Sequence, residues 1–191
     1  MKPGFPTPIP FAQLQSLDRP DFAALLSTVV EHSPWVAEQT WQRRPFASWT
    51  ALFLALEQTL REAEPAQQLA LLQAHPELAG REAQAGSMTS DSQSEQGRLG
   101  LLSLQPHELE RLAALNQRYR LRFGIPFIAA LRLHESLASV FATFEVRLGN
   151  DPSTERAIAL RQVGQVMHGR LEKTVLPESP GSPHHPLVST A

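Results

Sequence analysis

Apolar residues in this chain recur every three or four positions in one segment after another. No stretch alternates apolar with polar residues, or strings β-branched residues together, for long enough to nominate a sheet. The class this predicts is all-α. The breaks fall at residues that end or begin helices for stereochemical reasons. Asp18 to Pro20 open a helix through Phe22, Leu25, Leu26, Val29 and Val30, and the proline suits the first turn, where its missing N–H costs nothing. Ser33-Pro34 restarts the chain. Residues 34–43 and 48–62 read as two further helices parted by Pro45, the second capped by Ser48 and carrying Leu52, Leu56 and Leu60 on one face. A short helix over 66–74 must stop at His75, because the residue before Pro76 is pushed out of the α region. A loop follows, rich in Gly and Ser, and Ser92 to Gln96 reads as the entry to another helix with Ser92 or Ser94 as cap. From Pro106 the residues Leu109, Leu112, Asn116, Tyr119 and Phe123 mark a helix that Gly124 ends. Residues 126–148 read as the next, with Leu137, Val140, Phe141, Phe144 and Leu148 as its stripe. Asp151-Pro152 starts the last, through Ile158, Val163, Val166 and Leu171. The expectation is a single-domain bundle of about seven helices without internal repeats.

At 191 residues, one domain is the default, and 42% hydrophobic with 19% charged residues places the chain among folded proteins. The domain is expected to span 1–176. Residues 177–191, with Pro180, Pro183 and Pro186 among Gly and Ser, read as a flexible tail too poor in apolar residues to dock. Lys plus Arg number 17 against 19 Asp plus Glu, a net charge of −2, so the chain lacks the basic footprint of a nucleic-acid binder. The absence of cysteine excludes disulfide scaffolds, thiolate metal sites and cysteine nucleophiles, and fits a reducing cytoplasm. No apolar window approaches a membrane span, and the first residues lack the charged and apolar regions of a secretory signal.

Generic catalytic motifs are missing. There is no phosphate loop followed by Lys and no Gly-x-Ser-x-Gly elbow, and His134-Glu135 is followed by Ala138 where a zinc site would need its second histidine. Only Lys2 and Lys173 are lysines, which disfavours Schiff-base chemistry. Catalysis, if any, falls to His, Glu and Arg. His75, at a helix C-terminus, faces unpaired carbonyls that favour its protonated form; it is either a C-capping side chain or an acid–base group. Ser92-x-x-Glu95-Gln96 is either a plain capping motif or one wall of a site. Asn116, on an apolar stripe, is expected to be buried and hydrogen-bonded. Phe123 to Ile128 breaks one helix and starts another, which would expose backbone N–H groups to a ligand anion or carbonyl.

Taken in order, several pieces resemble the 2-oxo-4-hydroxy-4-carboxy-5-ureidoimidazoline (OHCU) decarboxylase family of urate degradation. They are His75-Pro76-Glu77-Leu78-Ala79-Gly80, Thr89 to Gln96, Leu99-Gly100-Leu101, Asn116 with Tyr119, Phe123-Gly124-x-Pro126-Phe127-Ile128, and Arg147-Leu148-x-Asn150 with Glu155. The resemblance spans roughly residues 10 to 173. It implies a cofactor-free, metal-free, all-helical lyase, a cytoplasmic homodimer that converts OHCU to (S)-allantoin and carbon dioxide. Carried onto this chain, it makes His75 the catalytic acid–base and Glu95 its carboxylate partner. Ser92 and Gln96 become substrate hydrogen-bonders, Pro76 with the backbone of Phe127 and Ile128 the pocket lining, and Arg170 the anion-binding arginine, with His168 near it in sequence. The alternative is a non-catalytic helical interaction module, in which the same caps and prolines only shape a bundle.

Overall fold

The structure, a computed structural model, describes residues 8–178. It confirms the class: the described residues form ten α-helices rather than about seven. These are α1 (Phe11–Ser16), α2 (Arg19–Leu25), α3 (Pro34–Thr40), α4 (Trp49–Glu62), α5 (Pro65–Gln73), α6 (Arg81–Gln84), α7 (Ser90–Arg98), α8 (Pro106–Phe123), α9 (Leu137–Arg147) and α10 (Pro152–Thr174). The surplus comes from short pieces, because α1 and α6 have too few turns to show a period in the sequence. Single 3-10 turns at Leu26–Thr28 and Trp41–Arg43 tighten the ends of the second and third segments.

The caps act as their side-chain chemistry demands. Asp18 accepts from the Asp21 N–H, Ser48 from Ala51, and Asp151 from both Ser153 and Thr154, so each supplies an acceptor to donors the helix cannot satisfy itself. Gly124 ends α8 with a φ of 71°, a conformation that costs residues with a side chain. The long α10 is the spine of the domain. Its residues Ala159, Val163, Met167 and Leu171 are buried four apart along one face, and it packs on α4, α5 and α8. Two residues before the helices and two after them, Ile9–Pro10 (β1) and Val175–Leu176 (β2), pair in parallel with Ile9 opposite Val175. The Trp49 indole donates to the Val175 carbonyl at 2.9 Å and the Trp49 N–H to Glu178 at 2.8 Å. The chain is thus docked two residues past the expected boundary at 176; residues 179–191 of the expected tail lie outside the described residues.

One expected helix is wrong. Residues 126–148 do not form a single helix: 125–130 run without helical structure, a 3-10 turn covers Leu131–Leu133, and α9 starts only after Ser136, which caps it. The physical reason lies in burial. Ile125, Phe127, Ile128, Ala129, Ala130 and Leu131 are all buried, so the segment threads the core with every side apolar, a pattern that periodicity cannot distinguish from a buried helix. Side chains satisfy its backbone in place of a helical ladder. Gln162 accepts from the Ala130 N–H at 2.9 Å, Arg147 donates to the Ile128 carbonyl at 2.7 Å, and Arg98 donates to the carbonyls of Leu131 and His134. Phe127 and Ile128 are therefore presented by an extended strap and not by a helix N-terminus.

Candidate active site

Four elements meet around one pocket: the C-terminal end of α5, the inner face of α7, the 127–131 strap and the last third of α10. The pocket is a small cleft with a cavity volume of about 40 Å³, open to solvent on one side. His75, Pro76, Ser92, Glu95, Gln96, Phe127, Ile128 and Arg170, all eight of the residues expected from the sequence, line it, together with Leu78 and Val166.

His75 closes α5, and its Nδ1 lies 2.9 Å from the Leu71 carbonyl. A carbonyl can only accept, so Nδ1 carries the proton and Nε2 of the neutral ring is a free lone pair. Burial first, and then the nearby Arg170 charge, hold the ring below the ordinary histidine value, outweighing the Leu71 bond. This corrects the sequence expectation: a helix end alone would favour imidazolium, but desolvation inside the pocket dominates. The chain after His75 is pinned. Ala79 sits in the left-handed region with a φ of 47°, its N–H donating to Gln96 Oε1 at 2.8 Å, and the Asn116 amide donates to the Leu78 carbonyl at 2.9 Å. Asn116 is thus buried and structural, as expected.

α7 is capped by Thr89, which accepts from the Ser92 N–H, and not by Ser92 or Ser94. Starting the helix there puts Ser92, Glu95 and Gln96 on one face, at i, i+3 and i+4. Glu95 meets Arg170 in a two-point ion pair, 2.9 Å to Nε and 2.8 Å to Nη2. Arg170 also donates to Ser92 Oγ at 3.2 Å, to Glu31 at 2.9 Å and to the Thr28 carbonyl at 3.3 Å. Five bonds occupy five N–H groups. Flanking carboxylates raise its pKa further despite burial. His168 is elsewhere: its ring sits edge-on to Trp49 and Phe53, with centroids 5.1 and 4.8 Å away, so of the two neighbouring basic residues Arg170 faces the pocket.

Behind the strap, Arg147 of α9 ties three elements together. It meets buried Glu155 at 2.5 Å, accompanied by bonds to Glu155 from the Tyr119 hydroxyl and, at 2.7 Å, from Asn150. Phe127 stacks on Phe144 at 3.9 Å, so its ring is fixed from the side away from the pocket. No backbone carbonyl among the described residues accepts from the N–H of Phe127 or Ile128. One residue packed against the site was missed in the sequence: Glu31, buried on the far side of Arg170, whose only signal is a charge following the apolar positions Leu25, Leu26, Val29 and Val30.

Among the described residues, no group of three or more His, Asp and Glu side chains could hold a metal ion, and no helix is long and apolar enough to cross a membrane. The arrangement offers a neutral histidine, a carboxylate held by an arginine, and polar donors around an apolar floor, a set suited to proton transfer on an anionic small molecule.

Comparison with known proteins agrees with that chemistry. A family model described as OHCU decarboxylase matches residues 15–172. The OHCU decarboxylase of Halalkalicoccus jeotgali is 37% identical over 172 residues, 90% of this chain and 95% of the relative. That of Mus musculus is 37% identical over 162 residues, 83% of this chain and 89% of the relative. Among solved structures, an (S)-allantoin synthase superposes with a TM-score of 0.68 at 28% identity, over 86% of this chain and 53% of that one. An OHCU decarboxylase crystallised in the presence of (S)-allantoin shares the fold, with a TM-score of 0.62 at 19% identity. With nearly the whole helical domain matched, and with the pocket assembled from the segments that carry the resemblance, the chain belongs to the OHCU decarboxylase family.

Proposed function

We propose that this chain is a cofactor-free decarboxylase acting in urate degradation, converting OHCU to (S)-allantoin and carbon dioxide. The observation that carries the reading is the convergence of His75, Glu95 and Arg170, remote in sequence, on one pocket. The substrate contains its own electron sink, a C=N bond beside the carbon that bears the carboxylate and a hydroxyl. When the carbon–carboxylate bond breaks, its electron pair forms a C=C bond with the neighbouring carbon, and the former C=N pair moves onto nitrogen, which takes a proton. The hydroxyl proton then leaves, the carbonyl of the product forms, and the neighbouring carbon accepts a proton. One net proton is consumed.

The site supplies positions for these transfers. Neutral His75, with Nε2 unprotonated, takes the hydroxyl proton as base and returns one to the flat carbon as acid. Glu95 engages the substrate hydroxyl, and Arg170 exchanges its weakest contacts for a substrate oxygen. The N–H groups of Phe127 and Ile128 stabilise charge as it develops on the ring, and Pro76 and Gln96 complete the wall, with Gln96 chiefly fixing the turn at Ala79. The enzyme acts on this reading as a cytoplasmic homodimer, an assembly that light scattering on the purified chain tests directly. The test of function is the decay of freshly generated OHCU followed by NMR: added protein accelerates it in the presence of EDTA, and decay at the spontaneous rate would favour the interaction-module reading.

A further inference from the structure

Glu31 takes no part in the chemistry above, yet its environment is as built as that of Glu95. It lies in the turn between the 3-10 helix at Leu26–Thr28 and α3, buried, with Oε2 accepting from Arg170 Nη1 at 2.9 Å and from Ser92 Oγ at 2.8 Å. Burial would raise its pKa, but hydrogen bonds from Thr89 and Ser92 and the Arg170 guanidinium hold the carboxyl below its ordinary value. The next residue, His32, has a φ of 59°, a left-handed conformation that a side-chain-bearing residue adopts at a cost. The turn is thus held in a strained form with Glu31 directed inward.

A serine hydroxyl has one proton, and that of Ser92 is committed to Glu31, which can only accept; Ser92 therefore faces the pocket as an acceptor. Arg170 is shared between two carboxylates on opposite edges of its fork, so when Glu95 turns to a substrate, the Glu31 edge remains as its counter-ion and hinge.

Resting on the decarboxylase reading above, we infer that Glu31 is a positioning residue of the site: it anchors Arg170 when Glu95 is engaged elsewhere and sets Ser92 to receive an N–H of the substrate, such as those of a ureido group or ring amide. Glutamine cannot replace it in full: an amide oxygen can take the place of Oε2 and accept from Ser92 and Arg170, but the negative charge that pairs with the buried guanidinium is lost.

The test uses the full chain carrying Glu31→Gln and Glu31→Asp. For Glu31→Gln, KM for OHCU is expected to rise about tenfold to a hundredfold, the usual weight of a charged hydrogen bond, while circular dichroism shows a folded protein. Glu31→Asp, which keeps the charge, is expected to recover part of that loss. A purely structural role would lower the amount of active enzyme and leave KM unchanged. The Arg170 Nε–H signal in NMR is expected to be protected from exchange in the wild type and to lose protection in Glu31→Gln. Unchanged KM with a protected signal would overturn the inference; should Glu31→Gln not fold, Glu31→Asp with wild-type KM would do so. If the wild-type chain fails to act on OHCU, the functional reading falls, and the Arg170 signal alone decides the role of Glu31.

Discussion

Arg170 and Glu95, 75 positions apart in sequence, are joined fork to fork, with Nε and Nη2 donating to separate carboxylate oxygens at 2.9 and 2.8 Å. This geometry matches a planar guanidinium and no other side chain. Lysine offers a point charge and cannot make both bonds. Arg170→Lys is expected to fold but to lose about tenfold to a hundredfold in kcat/KM, the weight of one charged hydrogen bond. Arg170→Gln leaves Glu31 buried without its counter-ion and should lower unfolding stability by about 3–5 kcal/mol, as measured in urea.

Replacement of His75 by Asn should abolish turnover while leaving the fold intact, because the ring lines the pocket and is not part of the apolar core, and its one bond, to the Leu71 carbonyl, caps a helix end. Thermal unfolding and the OHCU assay on one preparation check both halves. Full activity in His75→Asn would remove the central acid–base assignment.

The histidine also carries a pH signature. Its folded pKa lies below the ordinary 6.5, so the unfolded state binds the proton more readily. The stability this contributes is complete above 6.5 and is lost as pH falls from there toward the lowered value. Activity that needs the neutral ring has its acid limb below 6.5 for the same reason. Stability of wild type and His75→Asn, measured from pH 7 to 5, should converge as the pH falls.

Much of the site was legible because its residues come in short, ordered motifs at helix ends: His75 before a proline, and Ser92-x-x-Glu95-Gln96 with its helical spacing. Arg170 was legible only through family resemblance, since one arginine on a long helix has no local pattern. Glu31 was not legible at all; its partners lie 61 and 139 positions away, and only the folded chain brings them together. The strap at 125–130 was misread because an all-apolar run fits any buried element, and what makes it extended is the side chains of Gln162 and Arg147, far along the chain.

Those supports make a prediction of their own. Glu155→Ala strands Arg147 in the core, and breaking a buried pair in this way costs about 3–5 kcal/mol. Since Arg147 also holds the Ile128 carbonyl, activity should fall even at temperatures where the variant stays folded. Kinetics at low temperature beside urea unfolding separate the two effects.

At the end of the domain, a chain cut after Glu178 should keep wild-type stability, whereas a cut after Thr174 removes β2, uncovers Ile9 and leaves the Trp49 indole without its acceptor. Melting temperatures of the two truncations check this; equal values would mean that the β1–β2 pair contributes nothing measurable.

On the proposed mechanism, His75 delivers a proton to one face of a substrate held in this pocket. Water meets the flat decarboxylated carbon from both faces, so only a fixed donor makes one enantiomer. Circular dichroism of the product, recorded before allantoin racemises, measures this directly. The expected product is (S)-allantoin alone, formed at an enzyme-accelerated rate. Racemic allantoin formed at that same accelerated rate would mean that protonation follows release, and would contradict the role assigned to His75.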